Sequence, residues 1–124
     1  MKKMLALAAA GEGITGLALL VVPSIVVRLL FGAEIAGAGV VVSRMAGISL
    51  VALGLACWPG GGADRGLCGM LIYSFLAALY LAYLGLGGEW VGTLLWLAAA
   101  FHAVLTILLA RAWLKERQAK GKKA

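Results

Sequence analysis

Long apolar stretches, separated by short runs of glycine, proline and charged residues, dominate this chain of 124 residues. A transmembrane helix needs about 20 mostly apolar residues to cross a hydrocarbon core of roughly 30 Å. Four stretches reach that length and contain very few charged residues, and proline or glycine marks their boundaries. The pattern predicts an all-α integral membrane protein with spans at about residues 4–22, 38–58, 67–86 and 90–110.

The connections between these spans predict how the helices are arranged. Residues 87–89 leave so short a link that helices 3 and 4 must be antiparallel neighbours. Residues 24–31 are too few to span and too apolar for a free loop, so they predict a short helix in the outer interface, ended by Gly32. We therefore expect one domain, a four-transmembrane-helix antiparallel bundle with a short outer interfacial helix between helices 1 and 2.

Basic residues are distributed unevenly between the two ends of the spans. Nine lie on one side, six of them in the tail 111–124, and only Arg28 lies on the other. The positive-inside rule then places both termini in the cytoplasm. In a soluble protein a net charge of +6 would suggest nucleic acid. Here topology and anionic lipid account for it, because each basic residue near the surface contributes about 1 kcal/mol of lipid attraction.

Three ionisable residues lie inside the apolar spans: Glu12, Arg44 and His102. A charge at the bilayer centre costs roughly 2.5–3.5 kcal/mol on insertion scales, so we expect each to have a partner. Glu12 and Arg44 are expected to form a structural ion pair between helices 1 and 2, the alternative being a proton or anion site. His102 is expected to be neutral and hydrogen-bonded, the alternative being a haem ligand or proton relay.

Three tyrosines of helix 3 have side chains that could support this polar cluster. Tyr73, Tyr80 and Tyr83 lie close to one helix face by their spacing of seven and three residues. Their hydroxyls either complete the intramembrane cluster or sit at the two membrane interfaces.

Glycines in the first two spans predict close helix packing. Gly13 with Ala9 gives the small-xxx-small spacing, and Gly47 and Gly54 share a stripe with Arg44. The string Gly11–Gly16 matches a dinucleotide-binding pattern, but that pattern requires a strand before it and a helix after it. Within an apolar helix it indicates packing only.

No residue pattern of catalysis or metal binding is present in the sequence. Cys57 and Cys68 flank the inner loop on the predicted reducing side, so we expect no disulfide. We predict no metal site, no cofactor and no catalytic residue, and leave enzymatic activity unassigned, with a non-enzymatic role favoured.

Two segments of the chain carry a family resemblance: the run from Pro23 through Arg28-Leu-Leu-Phe-Gly32, and Arg44-Met-Ala-Gly47 with the apolar segment to Trp58. They resemble the small bacterial four-helix membrane proteins called DoxX-like. The resemblance covers helices 1 and 2 and the segment between them. It implies a four-helix bundle in a bacterial inner membrane and gives weight to Arg44, Gly47 and Gly54. Some members are linked to membrane oxidoreductase complexes.

Three functions remain open at this point. The first is a non-catalytic accessory or structural subunit that packs within a larger membrane complex. The second is a small homo-oligomeric carrier or channel that uses Glu12, Arg44 and His102, which requires self-assembly because four short helices rarely enclose a path. The third, implied by the resemblance, is an accessory to a quinone- or thiol-linked membrane oxidoreductase. The expected partners are the lipid bilayer and other membrane subunits or further copies of the chain.

Overall fold

The computed structural model describes residues 2–60 and 63–123, and these residues form five helices without a strand. Met1, Gly61, Gly62 and Ala124 lie outside the described residues, so the inner loop between Cys57 and Cys68 is described only in part. The helices are α1 (Lys2–Val21), α2 (Pro23–Phe31), α3 (Ala38–Ala56), α4 (Ala63–Gly87) and α5 (Leu95–Lys123).

Four of these helices, α1, α3, α4 and α5, are long and apolar enough to cross a membrane. They correspond in order to the four predicted spans, and the short predicted helix between the first two is present as α2. The largest difference is at α5, which begins five residues later than predicted and continues through most of the basic tail to Lys123.

The late start of α5 is explained by contacts between the residues before it and α2. The backbone N–H groups of Gly92 and Leu94 donate to the carbonyls of Leu30 and Leu29, at 3.0 and 2.8 Å. These bonds satisfy carbonyls at the end of α2, where no further helical turn follows to donate N–H groups to them. Gly92 lies so close to Leu29 that a Cβ there would clash with its carbonyl. The segment before α5 is therefore held as a loop against α2.

Helix α2 is defined by residues at both of its ends. Pro23 occupies its first turn, where a missing N–H costs nothing and the fixed φ favours the helix. At the other end Gly32 adopts a left-handed conformation with φ 67°, and its N–H donates to the Arg28 carbonyl at 2.9 Å. Beyond this cap, the Arg28 guanidinium forms an exposed ion pair with Glu34 at 2.6 Å.

Helices α1 and α3 run antiparallel and meet backbone to backbone. A Cβ on Gly47 would lie 2.6 Å from the Gly16 carbonyl oxygen, and a Cβ on Gly54 would lie 2.6 Å from that of Ala9. The backbone N and Cα of Gly13 also border Gly54. Any side chain at these crossings would push the helices apart, so hydrogen side chains are what permit the contact.

Two apolar clusters join the other helices. One cluster holds α1, α4 and α5 together near the start of α1, and the second joins α4 and α5 near the end of α2. The first consists of Leu5, Ala8, Ala9, Cys57, Leu67, Met70, Leu105, Leu109 and Ala112, and the second of Leu81, Leu95 and Ala99.

Substituting alanine at the helix crossing tests this arrangement. Gly47→Ala and Gly54→Ala should each destabilise the protein by roughly 1–3 kcal/mol, because the added Cβ overlaps backbone atoms that cannot move aside. The measurement is thermal unfolding of the purified full chain in mild detergent.

Gly69→Ala in α4 is the matched control, since a Cβ there meets no atom within 4 Å. Alanine is favoured over glycine in helices by about 1 kcal/mol, so this variant should be as stable as the parent or more so. Equal melting of all three variants would contradict the close crossing.

Candidate functional site

The candidate site is a buried polar cluster between the two apolar clusters. Its first member is Glu12, near the middle of α1, which is only 3% exposed. An isolated carboxyl group in such surroundings loses its hydration, so it requires polar neighbours from the helices packed against it.

His102 of α5 supplies the nearest of these neighbours. Its Nδ1 lies 3.6 Å from Oε1 of Glu12, and the residue is 9% exposed. The Phe101 ring packs edge-on to the imidazole, with centroids 5.6 Å apart. Gly11 of α1 faces the Phe101 ring, because a Cβ at Gly11 would lie 3.2 Å from that ring. The small residue beside Glu12 therefore allows α5 to approach α1 at the level of His102.

Tyr73 of α4 completes the group. Its hydroxyl interacts with the Glu12 carboxyl group. Its ring lies edge-on to the imidazole of His102, with centroids 5.7 Å apart. A carboxyl, an imidazole and a phenol from three helices thus meet at one level.

The cluster contains atoms that are buried without a hydrogen bond. Among the described residues, Oε1 of Glu12 and Nδ1 of His102 have no such partner, and neither has the hydroxyl of Ser74, which follows Tyr73 and is fully buried. Buried polar atoms are normally paired, so each unpaired one indicates strain, an ion or a function. The two facing atoms, on Glu12 and His102, are a base and an acid of the kind that exchange one proton.

Arg44 lies apart from this cluster. Because Gly47 packs between Gly16 and Leu20 of the antiparallel α1, Arg44 is level with the last residue of α1. At 1.5 Å per residue that is roughly 13 Å along the helix axis from Glu12. Its side chain is exposed, and within residues 2–60 and 63–123 it forms no ion pair. The structure brings Glu12 and His102 together and leaves Arg44 outside.

The other tyrosines and the cysteines are also outside the cluster. Tyr80 and Tyr83 are exposed and stack on each other, with centroids 6.3 Å apart. Cys57 is buried and Cys68 exposed, and both are free thiols. In the described part of the chain, no three His, Cys, Asp or Glu residues are grouped closely enough to hold a metal ion.

The sequence singles out neither Gly16 nor Ser74. Gly16 belongs to the string that indicates helix packing, and its contact with Gly47 is as close as that of Ala9 with Gly54. Within the predicted span 67–86, Tyr73 and Tyr80 lie equally far from the middle, so depth alone does not distinguish them. Ser74 lies nearer the middle than either, and that position is the one signal the sequence offers.

A double-mutant cycle tests the contact between Glu12 and His102. Glu12→Gln and His102→Gln should each lower stability in detergent, since each leaves a buried polar partner behind. The two effects should deviate from additivity by about 0.5–3 kcal/mol, as is usual for groups in one network.

The matched control is the cycle of Glu12→Gln with Arg44→Gln. These positions are far apart, so their effects should add to within about 0.3–0.5 kcal/mol. Additivity in the first cycle, or strong coupling in the second, would contradict the arrangement described here.

Comparisons with known proteins assign no function to this cluster. No model of a known protein family matches the chain, and neither a characterised protein nor a solved structure is similar enough to count as a relative. The function therefore has to be inferred from the burial, spacing and chemistry of Glu12, Tyr73 and His102.

Proposed function

We propose that the chain is a multi-pass protein of a bacterial inner membrane, folded as an antiparallel four-helix bundle, with α2 in the outer interface. The supporting observation is an inverted distribution of polarity. Glu12, Ser74 and His102 are buried, while large apolar side chains are exposed along all four long helices. Water would disfavour such a surface, whereas lipid tails are as apolar as the side chains they would cover.

The orientation follows from the basic residues. Lys2 and Lys3 begin α1, and the basic residues after Ala110 lie on α5 at the same end of the helices, where Met4 and Ala112 border one pocket. Both ends therefore face the cytoplasm, where Lys and Arg are retained. The resemblance to DoxX-like proteins supports the same location.

A reporter fused after Ala124 should accordingly be active only in the cytoplasm. A membrane-impermeant thiol reagent should label Glu89→Cys from outside in a background with Cys57 and Cys68 replaced, because Glu89 is exposed in the loop between α4 and α5. Arg65→Cys, at the opposite end of α4, serves as the control and should be labelled only after the cells are opened. The reverse pattern would contradict the orientation.

We further propose that the protein acts as a non-catalytic accessory subunit. The polar cluster is closed off by the packing around it, so its role is structural: it holds α1 against α4 and α5. The outward side of α3 carries an uninterrupted stripe at alternating spacings of four and three residues, which is the spacing by which helices pack against each other. The stripe consists of Val41, Met45, Ile48, Ala52 and Leu55, all exposed.

Photo-crosslinking from this stripe tests the accessory role. A crosslinking amino acid at Ile48 should yield one adduct of fixed mass with another membrane polypeptide. The same probe at Ile107, exposed on α5, is the control and should give lipid adducts only. Mass measurement after purification in mild detergent should show the same polypeptide at fixed stoichiometry. Lipid adducts alone at both positions would contradict the proposal.

The second candidate function is a homo-oligomeric proton carrier. It is favoured by the two facing unpaired atoms of Glu12 and His102, which lie 3.6 Å apart on two buried side chains of different helices. Intramembrane pairs of this kind occur in proton relays. Crosslinks from Ile48 to further copies of the chain would favour it, and so would a proton flux into liposomes that Glu12→Gln abolishes. The absence of such a flux would leave the accessory role.

A further inference from the structure

A small basic pocket lies at the end of the helices where the chain begins. Met4 of α1 and Leu108, Arg111, Ala112 and Lys115 of α5 enclose about 250 Å³. At about 30 Å³ per water molecule this holds roughly eight waters, which is the size of a headgroup and not of a whole lipid.

The pocket combines two kinds of surface. Arg111 and Lys115 are exposed and lie one helical turn apart on α5, and in the described ranges neither has a carboxylate within 4.0 Å. Met4, Leu108 and Ala112 form its apolar wall, and Leu108 lies about one helical turn closer than Arg111 to the apolar part of α5. Lys2 and Lys3 precede Met4 in the same turn of α1 and add positive charge to this end of the helices.

The position of the pocket along the helices matches its chemistry. Arg111 directly follows the apolar part of α5, so it stands where a membrane-spanning helix leaves the hydrocarbon. A ligand that fits must therefore have an anionic head at the level of Arg111 and Lys115. It must also have an apolar part that continues past Leu108 along the outside of α1 and α5.

We infer that this pocket binds the phosphate headgroup of an anionic phospholipid of the cytoplasmic leaflet. The inference rests on the proposed membrane location, but not on the accessory role. Arg111 and Lys115 donate hydrogen bonds to the phosphate oxygens, and the first acyl carbons lie against Met4 and Leu108. A water-soluble phosphate would gain the charged contacts alone.

The test compares lipid retention by the full chain and two charge-matched variants. One variant is Arg111→Gln with Lys115→Gln, which removes both pocket charges. The other is Lys122→Gln with Lys123→Gln, which removes the same charge from the same helix about 14 Å farther along, measured between the middles of the two pairs. Binding of phosphatidylglycerol in mixed micelles is measured by native mass spectrometry, with phosphatidylcholine and glycerol 1-phosphate as the other probes.

The pocket variant should bind phosphatidylglycerol roughly thirtyfold more weakly than the parent, and the tail variant less than threefold more weakly. Leu108→Trp, which fills the pocket and keeps both charges, should also weaken binding. Phosphatidylcholine should bind weakly and equally in all variants. Glycerol 1-phosphate should bind the parent weakly, and the pocket variant more weakly still, because it has only the charged contacts to lose.

Equal losses in the two double variants would overturn the inference, since that result describes diffuse attraction to a basic tail. Glycerol 1-phosphate competing as strongly as the lipid would overturn it too, because the apolar wall would then contribute nothing. Failure of the proposed location would look different: the parent chain would be absent from the membrane fraction.

Discussion

Glu12 is buried beside His102 and Tyr73, and this burial sets how α1 packs against α4 and α5. A carboxyl group placed in the middle of an apolar helix is tolerated only where other helices bring polar groups to it. Here α4 supplies a phenol and α5 an imidazole, and apolar clusters close the space toward both ends. The depth at which α1 packs on α4 and α5 is thereby fixed, because sliding any of the three would leave the carboxyl group against hydrocarbon.

The glycines at the crossing of α1 and α3 fix how far α3 can slide along α1. With Gly16 against Gly47 and Gly54 against Ala9, α3 has one register on α1, and that register sets the depth of every other α3 residue. It brings Arg44 to the last turn of α1, where the residue is exposed. Glu12 and Arg44 are thus separated by the packing of the small residues between α1 and α3.

Much of this fold is readable from the sequence, and the reasons for the exceptions are physical. Apolar length located the four long helices, and Pro23 and Gly32 located α2, because these signals act within one segment. The pairing of Glu12 was not readable in the same way. Arg44 was the expected partner by charge, but the choice between it and His102 depends on helix register and on which helices are neighbours. The start of α5 likewise depends on carbonyls of α2, some 60 residues earlier.

The length of α5 has a mechanical consequence. Its 29 residues measure about 44 Å, whereas a hydrocarbon core is roughly 30 Å thick. In the proposed membrane location, about two and a half turns of α5 would therefore project beyond the hydrocarbon as a rod. The Arg117 guanidinium lies over the Trp113 ring, 4.7 Å from its centroid, and stiffens this part of the helix. The lysines of the rod would be held at fixed angles and heights, so a small rotation of α5 would change the direction in which their charges point.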